Sequence, residues 1–224
     1  MRPAGIGRQA WRDLVFLHWP YPPEAIRPLV PAPLQLDARE GTAWVGIVAF
    51  RIEGLRYRRL PFRLGFLETN VRTYVTLSGE PAIWFFALDA ASPLAVMGAR
   101  AAYRLPYHRA RMWMKSEGKL AEYGHDRIGE EARFRVGVQM GAPLGPATPG
   151  TLEHFLVERY RFHVVRRGRV WTTEVRHRPY PLRAAAIESL EETLLAASRI
   201  PPPRGSPLVH ASEGVDVEIL ATRR

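Results

Sequence analysis

The sequence predicts a mainly β fold of the α+β type, a closed or nearly closed antiparallel barrel with two or three short helices. Roughly ten apolar, β-branched runs alternate with turn signals, and only brief stretches have helical periodicity. The 224 residues contain no composition shift, internal repeat or low-complexity segment. We therefore expect a single domain over residues 1–224, large enough to bury its own core.

The first half of the chain predicts five strands and one helix. The predicted strands cover residues 11–19, 42–52, 67–77, 82–90 and 95–103. Pro22 and Pro23 fit the first turn of a short helix, because an N–H is not needed there, and Pro31 ends it.

The second half of the chain predicts a hairpin, four further strands and two helices. The hairpin pairs residues 109–115 with 120–126, and the strands cover 134–140, 160–165, 170–177 and 214–221. A loop rich in Pro and Gly spans 143–150, after which Thr151 caps a helix with Leu152, Phe155, Leu156 and Tyr160 on one face. Acidic residues at the start and Arg199 at the end predict a helix over 190–199.

Composition excludes several kinds of chemistry. The chain has no cysteine, so disulfides, thiolate metal sites and a cysteine nucleophile are ruled out. No apolar run is long enough for a membrane-spanning helix, and residues 14–17 are too short for a secretory signal. We therefore expect a cytoplasmic protein without a membrane partner.

The net charge of +10 comes from thirty arginines and only two lysines. Arginines gather in residues 51–63, 104–111 and 159–169, and Tyr57, Phe62 and Tyr103 supply aromatic rings for stacking on nucleic acid. Acidic residues are mixed among these arginines, however, as in an ordinary solvated surface. We do not expect nucleic acid to be the partner, although a basic polyanion-binding protein remains an alternative.

The strand around residues 66–75 carries the most chemically informative pattern. Alternation places β-branched and apolar residues on one face, and on the other Phe66, Glu68, Asn70, Arg72 and Tyr74. This second face either meets solvent, with a weak Glu68–Arg72 pair, or lines a polar cavity. Neighbouring strands are apolar on both faces, which favours the cavity, and a buried Glu beside Arg is typical of functional pockets.

Other motifs are missing. The seven histidines have no metal-ligand spacing, and there is no glycine-rich nucleotide loop or serine nucleophile motif. We expect neither a metal nor a cofactor. His18, inside an apolar strand, is interpreted as a core histidine.

Several stretches resemble the YqjF-like family, a domain of unknown function. The most specific is Glu-Thr-Asn-Val-Arg-Thr-Tyr-Val at 68–75, followed by Arg-Leu-Pro-Tyr at 104–107 and by N- and C-terminal stretches in matching order. That family is similar in turn to the acetoacetate decarboxylases. The resemblance implies a β-barrel around an apolar-walled pocket, which in those enzymes holds a Schiff-base lysine, glutamates and an arginine.

The lysine is not retained. In the matching segment Arg100 and Pro106 correspond to the family pattern, whereas Tyr107 and His108 occupy the lysine positions. Lys115 and Lys119 flank a predicted turn, where a hydrated amine stays charged and is a poor nucleophile. We therefore expect no Schiff-base decarboxylase chemistry.

The resemblance and the strand pattern together predict a pocket for a small carboxylic or keto acid. Its predicted catalytic residues are Glu68, Tyr107 and His108, and its predicted ligand-binding residues are Asn70, Arg72, Tyr74 and Arg100. The sequence does not decide between a binding protein and an enzyme of the lyase or isomerase type. A non-catalytic oligomeric scaffold is a further alternative, and fold analogy alone suggests a homo-oligomer.

Overall fold

The computed structural model describes residues 5–57, 63–102 and 104–224. Within these ranges the chain forms twelve strands and four short helices. The strands are β1 (Gly5–Tyr21), β2 (Gln35–Leu36), β3 (Ala43–Tyr57), β4 (Leu64–Leu77), β5 (Glu80–Ala90), β6 (Tyr107–Glu117), β7 (Leu120–Arg127), β8 (Arg133–Gly145), β9 (Arg161–Arg166), β10 (Arg169–Arg176), β11 (Leu182–Glu192) and β12 (Leu208–Leu220). The helices are α1 (Pro23–Ile26), α2 (Pro93–Ala102), α3 (Leu152–Val157) and α4 (Leu194–Ala197).

All twelve described strands belong to one ring-like sheet, which confirms the predicted mainly β fold. One circuit of pairings runs β5–β6–β7–β8–β11–β12–β1–β3–β4 and returns to β5. A second circuit leaves β5 through β9 and β10 and rejoins β12, so that the two circuits share β12, β1, β3, β4 and β5. The pairings are antiparallel except those of β5 with β6 and with β9, which are parallel.

The shared strands have a separate hydrophobic core on each face. On β1, Val15 and Leu17 pack into one core, while Leu14 and Phe16 pack into the other. The first core is closed by α1 and α4, and the second is contacted by Leu156 of α3. This arrangement explains why β1 and β3 are apolar on both faces in the sequence, since each face is buried in a different circuit.

One predicted strand is wrong, because residues 95–103 belong mostly to α2. A short apolar run fits a buried strand or a buried helix equally well. Pro93 lies in the first turn, where its missing N–H costs nothing, and Ser92 Oγ accepts a hydrogen bond from the Ala95 N–H at 3.3 Å. Tyr103 and Phe62, proposed as stacking rings, lie outside the described residues, as does part of the basic stretch 51–63.

The C-terminal half needs smaller corrections. The sequence did not predict β11. The helix predicted over 190–199 is shorter than expected, because residues 190–192 belong to β11 and only Leu194–Ala197 are helical. β8 continues to Gly145, into the predicted loop. The Thr151 cap is confirmed, since its Oγ1 accepts from the His154 N–H at 3.3 Å, but α3 ends before Tyr160. No helix in the described part of the chain has the length and apolar character needed to cross a membrane.

Candidate functional site

A cavity of about 460 Å³ lies inside the second circuit of strands. This volume falls in the range of small-molecule pockets. Its walls are mostly apolar, with Leu14, Phe16, Val48, Phe50, Ile52, Leu55, Phe66, Phe85 and Leu88 among the lining residues. Helix α2 covers one side through Leu94, Ala95, Gly98 and Ala99.

The polar face predicted for β4 lines this cavity. Glu68, Asn70 and Arg72 all contribute to its surface and are only 4%, 4% and 6% exposed. The opposite face of the strand, with Val71 and Val75, packs into the first core. The polar face therefore does not meet solvent, and Glu68 and Arg72 form no ion pair with each other in the described structure.

Glu68 is held by Tyr107, the residue at one of the lysine positions. The Tyr107 hydroxyl donates to Glu68 Oε2 at 2.7 Å. Burial raises the pKa of Glu68 to about 7, and the negative charge of Asp89 adds to this effect, while hydrogen bonds from Tyr107 and Asn70 partly offset it. Near neutral pH the carboxyl group is therefore present in both forms, which suits an acid or a base.

Arg72 is a buried cation without a carboxylate partner among the described residues. Its Nη2 donates to the Leu156 carbonyl at 3.1 Å, and its Nε has no hydrogen-bond partner. The guanidinium carbon lies 5.8 Å from the Phe16 ring centroid. Buried charges in proteins are normally paired, because desolvation is costly. An anion entering the cavity would provide the missing partner.

Tyr74 shares the strand face with Arg72 but does not line the cavity. It is fully buried, and its hydroxyl donates to the same Leu156 carbonyl at 2.7 Å. Its predicted ligand-binding role therefore has no contact to support it. The side chain fixes the end of α3 against β4.

His108 and Arg100 also lie outside the cavity. Because side chains alternate along a strand, His108 points to the opposite face of β6 from Tyr107. There its Nδ1 lies 2.9 Å from Glu130 Oε1. Arg100 is exposed, and its Nε donates to the Tyr107 carbonyl at 2.7 Å. Arg100 can position Tyr107, but neither residue reaches a ligand in the cavity.

Sequence reasoning missed Arg159, which lines the cavity beside Arg72. It is buried, its Nη1 is 2.8 Å from Asp37 Oδ2, and its Nε donates to the Phe155 carbonyl at 2.8 Å. Burial lowers its pKa, and the charge of Asp37 opposes this. Arg159 lies two residues after the end of α3 and belongs to no periodic pattern, so the sequence marked it only as part of a basic stretch.

Neither lysine is near the cavity. Lys115 is exposed on β6 with its Nζ 5.4 Å from the Trp113 ring centroid, and Lys119 is exposed at the following turn. No group of three or more potential metal ligands of the His, Asp or Glu type comes together within ranges 5–57, 63–102 and 104–224.

A second ionic cluster lies nearby, formed by buried residues of β5 and β7 together with the exposed Glu130 that follows β7. Asp89 accepts hydrogen bonds from Arg127 Nε at 2.7 Å and Nη2 at 3.0 Å, and Glu130 Oε2 accepts from Nη1 at 2.8 Å. His125 Nε2 is 3.6 Å from Asp89, but burial lowers the pKa of this histidine to about 4, so it is neutral at pH 7. The cluster is internally paired and contributes no residue to the cavity.

Comparison with solved structures defines the fold class. The enduracididine biosynthesis enzyme MppR complexed with pyruvate matches with a TM-score of 0.69 at 13% identity, over 100% of this chain and 91% of that one. An acetoacetate decarboxylase-like enzyme from Sphingomonas wittichii RW1 matches with a TM-score of 0.65 at 13% identity, over 100% and 94% of the two chains. The fold is therefore acetoacetate decarboxylase-like.

The sequence comparison defines the family. Residues 8–216 match the model of domain of unknown function 2071, described as an uncharacterized conserved protein. The chain is also 38% identical over 217 residues to the uncharacterized protein YqjF of Bacillus subtilis (strain 168), covering 95% of this chain and 89% of that protein. The chain belongs to this YqjF-like family.

Proposed function

We propose that the cavity binds a small carboxylic or keto acid, whose carboxylate pairs with Arg72, and that no Schiff base is formed. The observation that carries this proposal is the buried guanidinium of Arg72, which has no ion-pair partner in the described structure and an unpartnered Nε. A carboxylate would accept bidentate hydrogen bonds from the guanidinium and neutralise its charge.

The other polar groups of the cavity suit a keto acid. Asn70 Oδ1 is buried without a partner among the described residues, so a ligand hydroxyl or enol could donate to it. Glu68, with its pKa near 7, can then take a proton from the carbon next to the keto group and return it, and Tyr107 holds the Glu68 carboxyl group in place. This arrangement supports proton-transfer chemistry of the lyase or isomerase type.

Two further observations favour a small acid over a polyanion. Many arginines outside the cavity are neutralised within the chain, for example Arg51 by Asp13, Arg135 by Asp126 and Arg133 by Glu191. In addition, the MppR structure of similar fold is complexed with pyruvate. Pyruvate is therefore the first ligand to test.

Isothermal titration with pyruvate tests the proposal on the wild type, Arg72→Met and Arg111→Met. Methionine replaces the arginine side chain at position 72 with an unbranched side chain that carries no charge. Because hydrogen bonds to charged groups contribute about 1.5–3 kcal/mol, Arg72→Met should weaken binding roughly 10- to 150-fold. Arg111 is exposed on β6, away from the cavity, so Arg111→Met should bind like the wild type. Equal affinity of Arg72→Met and wild type would contradict the proposal.

A further inference from the structure

The lining of the cavity changes character along β4. Its cavity-facing side chains follow one another as Arg72, Asn70, Glu68, Phe66 and Leu64. Alternate residues of a strand are about 6.6 Å apart, so this row spans roughly 26 Å. The polar groups occupy one end of the row and the apolar groups the other.

The strand beside β4 continues the apolar part. On β3, Phe50 pairs with Glu68 and Ile52 pairs with Phe66, and both β3 residues line the cavity. Exposure follows the same direction, since Arg72 is buried while Leu64 is half-buried and Leu94 of α2 is 57% exposed. The charged end therefore lies deep, and the apolar section leads from it towards the surface.

A carboxylate and a keto group would fill only the polar end. At about 30 Å³ for each water-sized group, a cavity of 460 Å³ holds far more than pyruvate. The apolar section also offers few hydrogen-bond partners to water.

We propose that the preferred ligand is an amphipathic monocarboxylic acid, an α-keto acid with an unbranched apolar tail of several methylenes. Its carboxylate pairs with Arg72, and its keto group lies beside Glu68, where the enol form can donate its hydroxyl proton to Asn70 Oδ1. Its tail packs against Phe66, Ile52 and the inner side of α2. This inference rests on the proposed function, because the acid group must bind at Arg72.

The test is titration with pyruvate, α-ketobutyrate, α-ketohexanoate and α-ketooctanoate. Burying one methylene in an apolar site contributes about 0.8 kcal/mol and should tighten Kd about fourfold. Affinity should therefore rise on the order of a thousandfold from pyruvate to α-ketooctanoate.

Two variants on α2 locate the tail. Ala99 lines the cavity, so Ala99→Phe should fill the apolar section and reduce the affinity ratio of α-ketooctanoate to pyruvate to near one. Met97 lies on the same helix, is 60% exposed and does not line the cavity. Met97→Phe should therefore keep the wild-type ratio, and thermal melts would confirm that both variants are folded.

The outcomes separate this inference from the proposed function. If all four keto acids bind with equal affinity and Arg72→Met still loses its affinity for pyruvate, the inference of an apolar tail is wrong. The proposed acid site at Arg72 is then still supported. If no acid binds, both proposals fail. If octanol binds as tightly as α-ketooctanoate, and Arg72→Met has no effect on either, the acid site and the amphipathic ligand both fail.

Discussion

Arg72 and Arg127 are both buried arginines of the same sheet, yet their surroundings differ. Arg127 is held by both oxygens of Asp89 and by Glu130. Arg72 has one backbone carbonyl and two aromatic rings around it. The pairing of Arg127 is complete within the protein, whereas that of Arg72 lacks an anion.

This difference separates structural charges from ligand-binding charges. A paired buried charge is expensive to break because the remaining partner is stranded. An unpaired one already carries its desolvation cost in the free protein, so its removal should affect binding more than folding. The same substitution should therefore reduce the stability of the fold at Arg127 and the affinity for the ligand at Arg72.

The largest effect is expected for Arg127→Met. This change leaves the Asp89 carboxylate buried without its guanidinium partner. We expect a loss of about 3–5 kcal/mol in the free energy of unfolding, measured by urea denaturation at pH 7. A loss below about 1 kcal/mol would contradict the contrast between a structural charge at Arg127 and a ligand-binding charge at Arg72.

The pH dependence of stability should reveal Glu68. Its folded pKa of about 7 lies above the ordinary 4.5, so the folded state holds the proton more tightly than the unfolded state. The stabilisation that this tighter proton binding gives the folded state is fully present below pH 4.5 and is lost as the pH rises to about 7.

Glu68→Gln isolates that contribution. Between pH 4.5 and pH 8 the wild type should lose about 3 kcal/mol more stability than Glu68→Gln. Parallel stability curves for the two proteins would mean that the carboxyl group titrates normally and is not desolvated by the cavity.

Tyr107→Phe should have an intermediate effect. Removing the hydroxyl takes away a hydrogen bond that lowers the pKa of Glu68, so this pKa should rise further above 7. At pH 8 the stability loss should be about 1.5–3 kcal/mol, and at pH 5, where the carboxyl group is neutral, about 1 kcal/mol. Equal losses of stability at the two pH values would argue against a hydrogen bond from Tyr107 to the ionised carboxylate of Glu68.

The smallest effect on stability is expected for Arg72→Met. The Leu156 carbonyl keeps its hydrogen bond from Tyr74, and a buried unpaired charge is removed. The free energy of unfolding should change by no more than about 1 kcal/mol in either direction. A loss as large as that of Arg127→Met would indicate a structural role for Arg72.

Part of this site could be predicted from the sequence. The two-residue period of a strand correctly placed Glu68, Asn70 and Arg72 on one face, and apolar neighbours correctly suggested that the face was enclosed. The same period also grouped Tyr74 with them. It could not tell that α3 would cover Tyr74, because that contact joins residues 82 positions apart.

The remaining parts depend on tertiary packing. Helix α2 was predicted as a strand because a short apolar run has no decisive period. Arg159 enters the cavity from the segment after α3, and its partner Asp37 lies 122 residues earlier. Such long-range pairs leave no local pattern in a single sequence.

The most direct test of the central claim is a crystal structure of the protein with α-ketooctanoate. We predict that the ligand carboxylate accepts hydrogen bonds from the Arg72 guanidinium at about 2.7–2.9 Å, with the tail directed towards α2. A ligand bound outside the cavity, or an Arg72 guanidinium paired instead with a carboxylate of the protein, would contradict the claim.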